Sequence, residues 1–353
     1  MKRGSYSLLP EWAPQDCVIL TWPHRDSDWA PWLPQVEMVY SELATRISHY
    51  EDLLIICQDT QHIEQIRQRL QDDTLGPTRI HYHALPTNDT WVRDYGPISL
   101  IQDQQAVLLN FAFNGWGAKH SANLDNQVSQ RLHQCGAFPR WSLKPVDFVL
   151  EGGSIDGDGD GTIMTTTACL LNSNRNPGYS RKQIEQLLLR QLGATRILWL
   201  EQGHIIGDDT DGHIDMLARF CDPQTIAYAN CENPEDVHFS PLHAMELELR
   251  TLHTRNNTPY QLVPLPLPAP LFNPQGQRLP ASYANFLIIN QAVLVPVYDD
   301  PADAQALTRL AACFPGREII AIPCRPLLLQ QGSLHCATMQ IPLIPDTGAE
   351  AEP

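Results

Sequence analysis

Cys336 is the residue of this sequence around which chemistry is easiest to assemble, because one histidine and several carboxylates upstream could act with it. The upstream candidates are Asp94, Glu151, His213 and Asp215, the last two within a largely acidic block at positions 208–215. A thiol, a histidine and carboxylates suit attack on a carbon atom held inside a cation. The cation that best fits this set is a guanidinium.

A guanidinium carbon is a poor electrophile because resonance spreads its positive charge over the nitrogens. Its hydrolysis requires that the group is held in one plane, that a strong nucleophile approaches its face, and that the departing nitrogen is protonated. Carboxylates pair bidentately with the N–H groups of a guanidinium, and a thiolate is the best protein nucleophile at neutral pH. A histidine can give a proton to ammonia and then take one from water.

We therefore expect Asp94 and Asp215 to hold the guanidinium, Cys336 to attack it, and His213 to act as acid and base. His213 and Asp215 are two positions apart, which on an extended strand would point both side chains to the same face. Glu151 could orient His213 through its second ring nitrogen. Each residue also has a structural alternative, a buried thiol for Cys336 and turn carboxylates for Asp94 and Glu151.

Composition excludes several other classes of function. The formal net charge of −16 argues against nucleic-acid binding, which needs a basic face; it is compatible with a cationic substrate or simply with solubility. The nine cysteines include no Cys-x-x-Cys pair and predict reduced thiols in a cytoplasm, without a disulfide framework or zinc site. We recognise no secretory signal and no membrane span, so we expect a cytoplasmic protein. Because the cysteine pattern does not indicate a metal site, we also expect that the protein uses no metal.

Helix-forming segments recur roughly every 60 residues, which predicts a repeated structural unit. They are residues 61–70, 124–135, 180–192, a helix opened by Ser240 and Pro241, and residues 301–313, with a further helix near 34–50 before the series. Short apolar runs predict strands at residues 53–57, 106–113, 146–150, 196–200, 226–230, 286–290, 292–297 and 318–323. This is about three strands per helix, whereas a doubly wound parallel sheet would have one. We expect an α/β fold of five ββαβ modules.

A ring of such modules would explain how distant residues meet. Asp94, Glu151, His213 and Cys336 each follow the helix of their interval at a similar distance, just beyond a strand. Equivalent positions of a ring face its centre, so we expect the site in a central channel. Residues 1–345 are predicted to form one catalytic domain, and residues 346–353 a flexible acidic tail.

Residues 156–161 alternate aspartate and glycine and resemble the start of a calcium-binding loop. However, the twelfth position of the loop is Thr167 instead of a bidentate glutamate, and a strand follows instead of a helix. We therefore expect a hairpin turn at this place.

Several longer motifs occur in a fixed order along the chain. They are residues 88–97, residues 151–154 followed by Gly161 and Thr162, residues 169–177, 209–215 and 282–286, and the pair His335 and Cys336. With these motifs, the chain resembles the agmatine deiminase family, which is grouped with the bacterial type of peptidyl-arginine deiminase. The resemblance covers nearly the whole chain and implies a five-module α/β propeller of the guanidine-modifying superfamily.

The resemblance also implies an activity, the hydrolysis of agmatine to N-carbamoylputrescine and ammonia in putrescine and polyamine biosynthesis. The reaction would pass through a covalent amidino-cysteine intermediate and need no cofactor. Carried over residue by residue, Cys336 is the nucleophile, His213 the acid and base, and Glu151 the supporting glutamate, with Asp94 and Asp215 as guanidinium ligands. Further expected substrate contacts are Asp209, Trp91, Asp89 and Asn285. A homo-oligomer, with a dimer as the candidate, is left open.

One segment departs from the family pattern, and other functions remain open. The family commonly has a run of glycines before the His-Cys pair, where this chain has residues 330–334, and Met339 replaces a frequent glutamine. The alternatives are a deiminase of free or peptidyl arginine, an amidinotransferase, and a non-catalytic polyamine-binding protein. The acids near Asp89 and Asp209 favour agmatine, because agmatine carries a second cation.

Overall fold

The computed structural model of the chain describes residues 7–70, 75–102 and 105–344. The predicted acidic tail, residues 346–353, lies outside the described residues. The helices of the described part are α1 (Leu33–Ile47), α2 (Thr60–Arg69), α3 (Val92–Tyr95), α4 (Gly115–Ala118), α5 (Val128–Gln134), α6 (Thr167–Leu170), α7 (Arg181–Leu192), α8 (Phe239–Leu249) and α9 (Ala302–Cys313).

The strands are short, as the apolar runs of the sequence predict. They are β1 (Ser7–Leu8), β2 (Gln15–Thr21), β3 (Asp52–Cys57), β4 (Ile80–Ala84), β5 (Ile98–Gln102), β6 (Gln105–Ala112), β7 (Ser142–Val149), β8 (Ile155–Gly157), β9 (Thr162–Thr166), β10 (Arg196–Leu200), β11 (Ala218–Asp222), β12 (Thr225–Asn230), β13 (Gln261–Pro266), β14 (Leu287–Ile289), β15 (Ala292–Val297), β16 (Glu318–Pro323) and β17 (Thr338–Pro342).

These strands form five small sheets, with the orders β1-β5-β6-β7, β10-β9-β8, β11-β12-β13, β14-β15-β16 and β17-β2-β3-β4. Each sheet joins an antiparallel pair to a parallel pair, as β8, β9 and β10 do. The two parallel strands are connected through a helix, which is α1, α5, α7, α8 or α9 according to the sheet. The predicted ββαβ unit is therefore present in each of the five sheets, and a doubly wound sheet is excluded.

The first unit differs from the sequence prediction. We expected the helix near residues 61–70 to belong to the repeat and the one near 34–50 to precede it. In the structure, α1 connects the parallel strands β2 and β3, while α2 leads to β4, which extends the same sheet. The prediction was wrong because the first unit is completed by a strand that is distant in sequence. The antiparallel partner of β2 is β17, from the other end of the chain, so α1 takes the place of the repeat helix.

Local signals placed some helix ends well. Ser180 caps α7 together with Gln183 in a reciprocal pair of hydrogen bonds, and Gly193 ends the helix with a left-handed φ of 67°. The prediction that Ser240 caps the next helix was wrong, because α8 begins at Phe239 after His238.

The aspartate- and glycine-rich segment forms the predicted hairpin. Strands β8 and β9 pair antiparallel on either side of it. Asp158 Oδ1 accepts hydrogen bonds of 2.8 Å from the backbone N–H groups of Asp160 and Thr162. The carboxylate is thereby used to close the turn.

Apolar burial holds the helices against the sheets. On α1, Val36, Tyr40, Leu43 and Ile47 are fully buried in a core that extends through most of the described chain. A second cluster lies between the sheets that contain β7 and β9. Within the described residues, the helices lack the combination of length and apolar character that a bilayer crossing needs.

Replacing Leu43 by alanine should lower the free energy of unfolding by about 2–5 kcal/mol, because it leaves a cavity in a fully packed core. Met38 on the same helix is 62% exposed, so Met38→Ala is the matched control and should change stability by less than about 0.5 kcal/mol. Chemical denaturation measures both. Equal effects of the two substitutions would contradict the packing of α1 described above.

Candidate active site

Segments that follow or precede strands of different sheets meet around Gly153. A Cβ atom placed on this glycine would lie 2.7 Å from His213 Nδ1, 2.8 Å from Asp94 Oδ1 and 3.0 Å from Asp215 Oδ2. Asp94 belongs to α3, Gly153 to a 3₁₀ turn after β7, and Asp215 to a 3₁₀ turn before β11. Residues more than a hundred positions apart therefore share one small volume.

The thiol of Cys336 is buried beside this group, immediately before β17. Its Sγ lies 3.2 Å from Asn285 Nδ2 and 3.7 Å from Asp215 Oδ2. Burial, followed by the negative charges of Asp215 and Asp94, raises the pKa of the thiol well above its usual range. A thiolate here needs a positive charge nearby.

The two aspartates have different partners and different protonation. Asp94 accepts hydrogen bonds from Gly153 N at 3.0 Å and from Trp116 Nε1 at 2.8 Å. Burial and then the charge of Asp215 raise the pKa of Asp94 well above its usual range. Burial also acts to raise the pKa of Asp215, but a 2.8 Å hydrogen bond with His335 and the charge of that ring outweigh it and lower the pKa. Asp215 is therefore the ionised member of the pair.

His213 is fully buried, and its Nδ1 lies 3.5 Å from Asp94 Oδ1. Neither ring nitrogen has a hydrogen-bond partner among the described residues. Burial lowers the pKa of His213 to about 3, only partly opposed by the charge of Asp215. The ring is consequently a neutral base in the site as it stands.

Glu151 is held by an arginine. Both of its carboxylate oxygens lie 3.0 Å from Arg175 Nε, and both side chains are fully buried. Glu151, Cys169 and His213 place potential ligand atoms within 4.8 Å of one another. The arginine cation on Glu151 opposes a metal ion at this position, because like charges would be buried together.

A pocket extends to the thiol of Cys336. It is lined by Asp89, Trp91, Asp94, Trp116, His120, Asp209, Thr210, Met216, Gln330, Gln331, Gly332 and Cys336. The lining of the pocket includes both acidic and basic side chains. Burial raises the pKa of Asp89 to about 6, and Asp209 Oδ2 lies 2.7 Å from His120 Nε2. Lys119 Nζ lies 3.4 Å from Asp209 Oδ1.

A strained loop aims Trp116 at Asp94. Residues 115–118 all have positive φ angles, with 53° for Trp116 and 63° for Ala118. Non-glycine residues pay about 1 kcal/mol or more for this conformation. Gln331, in the segment that departs from the glycine run, is also left-handed, with a φ of 66°.

The comparisons with known proteins agree on one family. Residues 7–342 match the family model described as Porphyromonas-type peptidyl-arginine deiminase. The curated agmatine deiminase of Pseudomonas syringae pv. tomato is 34% identical, over 97% of this chain and 96% of that protein.

The chain belongs to the Porphyromonas-type peptidyl-arginine deiminase family.

The names of similar proteins with solved structures refer to two substrates, arginine and agmatine. A Porphyromonas gingivalis protein provisionally assigned as an arginine deiminase is 48% identical, with a TM-score of 0.88 over 96% of this chain and 98% of its own. A Cys-to-Ser variant of C. jejuni agmatine deiminase with substrate bound is 38% identical, with a TM-score of 0.89 over 97% of this chain and 98% of its own. The family resemblance predicted from the motifs is therefore confirmed.

The structure brings the predicted site residues together, with two corrections to their geometry. His213 and Asp215 do not lie on an extended strand, because residues 214–216 form a 3₁₀ turn. Glu151 does not hydrogen-bond His213 but pairs with Arg175. Asp89, Trp91 and Asp209 line the pocket with Asp94 and Cys336, whereas the remaining predicted residues, His213, Asp215, Glu151 and Asn285, lie outside its lining.

Sequence reasoning assigned no role to several residues that hold this site in place. Trp116, Arg175 and His335 each contact a carboxylate of the site. Arg175 lies in one of the ordered motifs and His335 is adjacent to the thiol, so their positions were a signal. Trp116 gave none, since its loop conformation cannot be read from residue types.

Gly153→Ala should abolish turnover, because its methyl group would lie within about 3 Å of His213, Asp94 and Asp215, closer than real Cβ contacts allow. A Cβ atom added at Gly316 would meet nothing within 4 Å, and this glycine has no left-handed φ. Gly316→Ala is therefore the matched control and should keep full activity. Steady-state kinetics with circular dichroism to verify folding makes the comparison. An active, folded Gly153→Ala enzyme would mean that these three side chains do not converge as described.

Proposed function

We propose that this protein is an agmatine deiminase, a hydrolase that converts agmatine and water to N-carbamoylputrescine and ammonia. The observation that carries the proposal is the convergence of the Cys336 thiol, His213, Asp94 and Asp215 next to one pocket. The 34% identity to curated agmatine deiminase over 97% of this chain supports the substrate.

Binding follows from charge. The guanidinium lies between Asp94 and Asp215, where its positive charge relieves the repulsion of two buried carboxylates. Asp94 loses its proton as the cation binds. The aliphatic chain passes Trp91, and the second cation of agmatine faces Asp89 and Asp209, both of which line the pocket.

The first half of the reaction forms a bond to sulfur. The bound cation lowers the free energy needed to form the thiolate, so the thiol proton passes to neutral His213. The Sγ atom of Cys336 then adds to the guanidinium carbon. His213 returns the proton to the departing nitrogen, the C–N bond breaks and ammonia leaves. The amidino group remains on sulfur as a cation.

The second half restores the enzyme. His213 takes a proton from water, the hydroxyl adds to the amidino carbon, and the C–S bond breaks. The product is a substituted urea, the sulfur regains a proton, and the remaining proton passes to solvent, where it can protonate the ammonia released earlier. Asp94 and Asp215 hold the plane throughout, and Glu151 with Arg175 supports the histidine loop. Asn285 lies against the sulfur.

We place this site in the central channel of a five-module propeller formed by residues 1–345 as one catalytic domain. The five ββαβ units support a ring, as does the pairing of β17 with β2, which joins the two ends of the chain in one sheet. All nine cysteines are free, which supports a reducing compartment such as the cytoplasm. A dimer remains a prediction.

Deimination of free or peptidyl arginine is the second candidate. His120 lines the pocket and Lys119 lies beside Asp209, so a substrate carboxylate would meet positive charge there. Against it, both basic residues are already paired with Asp209. Agmatine lacks the carboxylate, so it does not compete with Asp209 for these two basic residues.

Purified protein should release ammonia and a ureido product from agmatine, and little from free arginine or a blocked arginine peptide. Cys336→Ala should lower turnover by a factor of about 10⁴ or more, because no other nucleophile is in place. Cys135 is an exposed cysteine, and Cys135→Ala should be fully active. Turnover of arginine instead would move the proposal to the second candidate. Transfer of the amidino group to an added amine would indicate an amidinotransferase, and binding without turnover a polyamine-binding protein.

The pH profile should report the proton on Asp94. Its raised pKa means that the protonated form, which cannot bind a guanidinium well, persists above the usual carboxyl range. The value of kcat/KM should therefore rise with pH through this pKa. The Trp116 hydrogen bond favours the ionised form, so Trp116→Phe should move the acid limb to higher pH.

Trp199 offers the matched control for this profile. Its Nε1 also donates to a carboxylate, Glu185, at 2.8 Å, but neither residue lines the pocket. Trp199→Phe should leave the profile unchanged. A Trp116→Phe profile that falls equally at all pH values would refute the role given to this hydrogen bond.

A further inference from the structure

A buried histidine lies behind the ionised aspartate of the site. His335 is 1% exposed and places Nδ1 2.8 Å from Asp215 Oδ2 and Nε2 2.8 Å from Glu11 Oε1. Its backbone N–H donates to Asn285 Oδ1 at 2.9 Å, which anchors the main chain from which the ring extends. Thus both nitrogens of one imidazole meet a group that normally only accepts hydrogen bonds.

This arrangement constrains the number of protons. A neutral imidazole has a single N–H, so its other nitrogen would direct a lone pair at a carboxylate 2.8 Å away. Two hydrogen bonds therefore need two protons among the three groups. Either the ring carries both, or the ring carries one and a carboxyl group carries the other.

Glu11 is a poor place for the extra proton. It accepts hydrogen bonds from Arg93 Nη1 at 3.2 Å, Arg219 Nη2 at 2.5 Å and Gln340 Nε2 at 3.0 Å. Burial opposes its charge, but Arg219, His335 and Arg93 outweigh burial and hold the pKa of Glu11 well below its usual range. A proton on Asp215 would instead remove the charge that a guanidinium needs.

We propose that His335 is an imidazolium held between Glu11 and Asp215, and that it is a positioning residue that keeps Asp215 ionised with Oδ1 free. Asp215 Oδ1 has no hydrogen-bond partner among the described residues, so it is available to a ligand. The assignment of the proton rests on the two contacts of the ring and on the cations around Glu11; the argument against a proton on Asp215 and the consequence for substrate rest on the proposed deiminase function.

The surrounding charges act in both directions. Burial, followed by the charges of Arg219 and Arg93, lowers the pKa of His335 from its usual value, and Glu11 and the hydrogen bond to Asp215 oppose this shift only in part. Asp94 faces the same volume from α3, and Asp156 pairs with Arg219 from the other side, with 3.4 Å between its Oδ2 and Arg219 Nε. The two short contacts of the ring, which a neutral imidazole cannot both satisfy, favour the charged form.

Neutron diffraction from crystals of the deuterium-exchanged protein tests the assignment without any assay. Nuclear density for deuterium on both Nδ1 and Nε2 of His335 is expected. Deuterium on one ring nitrogen, with the second on an oxygen of Glu11 or Asp215, would overturn the proposal. The result does not depend on which guanidine, if any, the protein hydrolyses.

Kinetics of Glu11→Gln tests the consequence. Glutamine keeps the volume and can donate to Nε2, so the ring becomes neutral but stays in place. The pKa of Asp215 should then rise, and we expect kcat/KM for agmatine at pH 7 to fall about tenfold or more and to recover at higher pH. His335→Asn, which removes the charge but keeps a donor near Asp215, should behave alike if Glu11→Gln does not fold.

The control is Glu42→Gln, which removes a charge from an exposed ion pair with Arg46 and should leave the profile unchanged. A loss of equal size at every pH in folded Glu11→Gln or His335→Asn would show a purely structural role and overturn the proposal. Absence of turnover in the unaltered protein with any guanidine would instead refute the deiminase function.

Discussion

The rest of this structure depends on one constraint. Carboxylate groups are buried, and so removed from water, in the site around one sulfur atom. Asp94 and Asp215 are buried beside the thiol of Cys336, and Glu151 is buried near His213; an isolated buried carboxylate costs several kcal/mol or more. The protein gives each a different partner. Trp116 and a backbone N–H bind Asp94, Arg175 binds Glu151, and His335 binds Asp215. The negative charge that these partners leave unbalanced is complementary to a small substrate cation.

This constraint explains why the chain is built from repeated units. A single ββαβ unit could not surround a buried site with enough donors, because each contributes only the loop or turn at the end of a strand. In the structure, the four segments that carry Asp94, Glu151, Asp215 and Cys336 each connect two different sheets, and together they flank all five. The helices that connect the parallel strands, α1, α5, α7, α8 and α9, carry none of these four residues, but their packing fixes the strand ends and therefore the distances between the charges.

Structural features that depend on residues close together in the sequence were predicted, whereas features that depend on contacts between distant residues were missed. The helical stripe and caps of α7, and the hairpin at Asp158, follow from residues within a few positions of one another. Residue chemistry alone was enough to choose Cys336, His213 and the aspartates. The pairing of Glu151 with Arg175, the 3₁₀ turn at Asp215 and the left-handed run at Trp116 were missed, since tertiary contacts decide each of them.

The pairing of β17 with β2 has a consequence for how the molecule is made. Ribosomes synthesise β2 first and β17 some three hundred residues later. One edge of β2, an apolar strand that is nearly fully buried in the finished fold, therefore lacks its partner through most of synthesis. An unpaired apolar edge invites pairing with other chains. Overproduction at high temperature should therefore yield insoluble protein more readily than the stability of the finished fold would suggest, and chaperones that shield nascent chains should improve the yield.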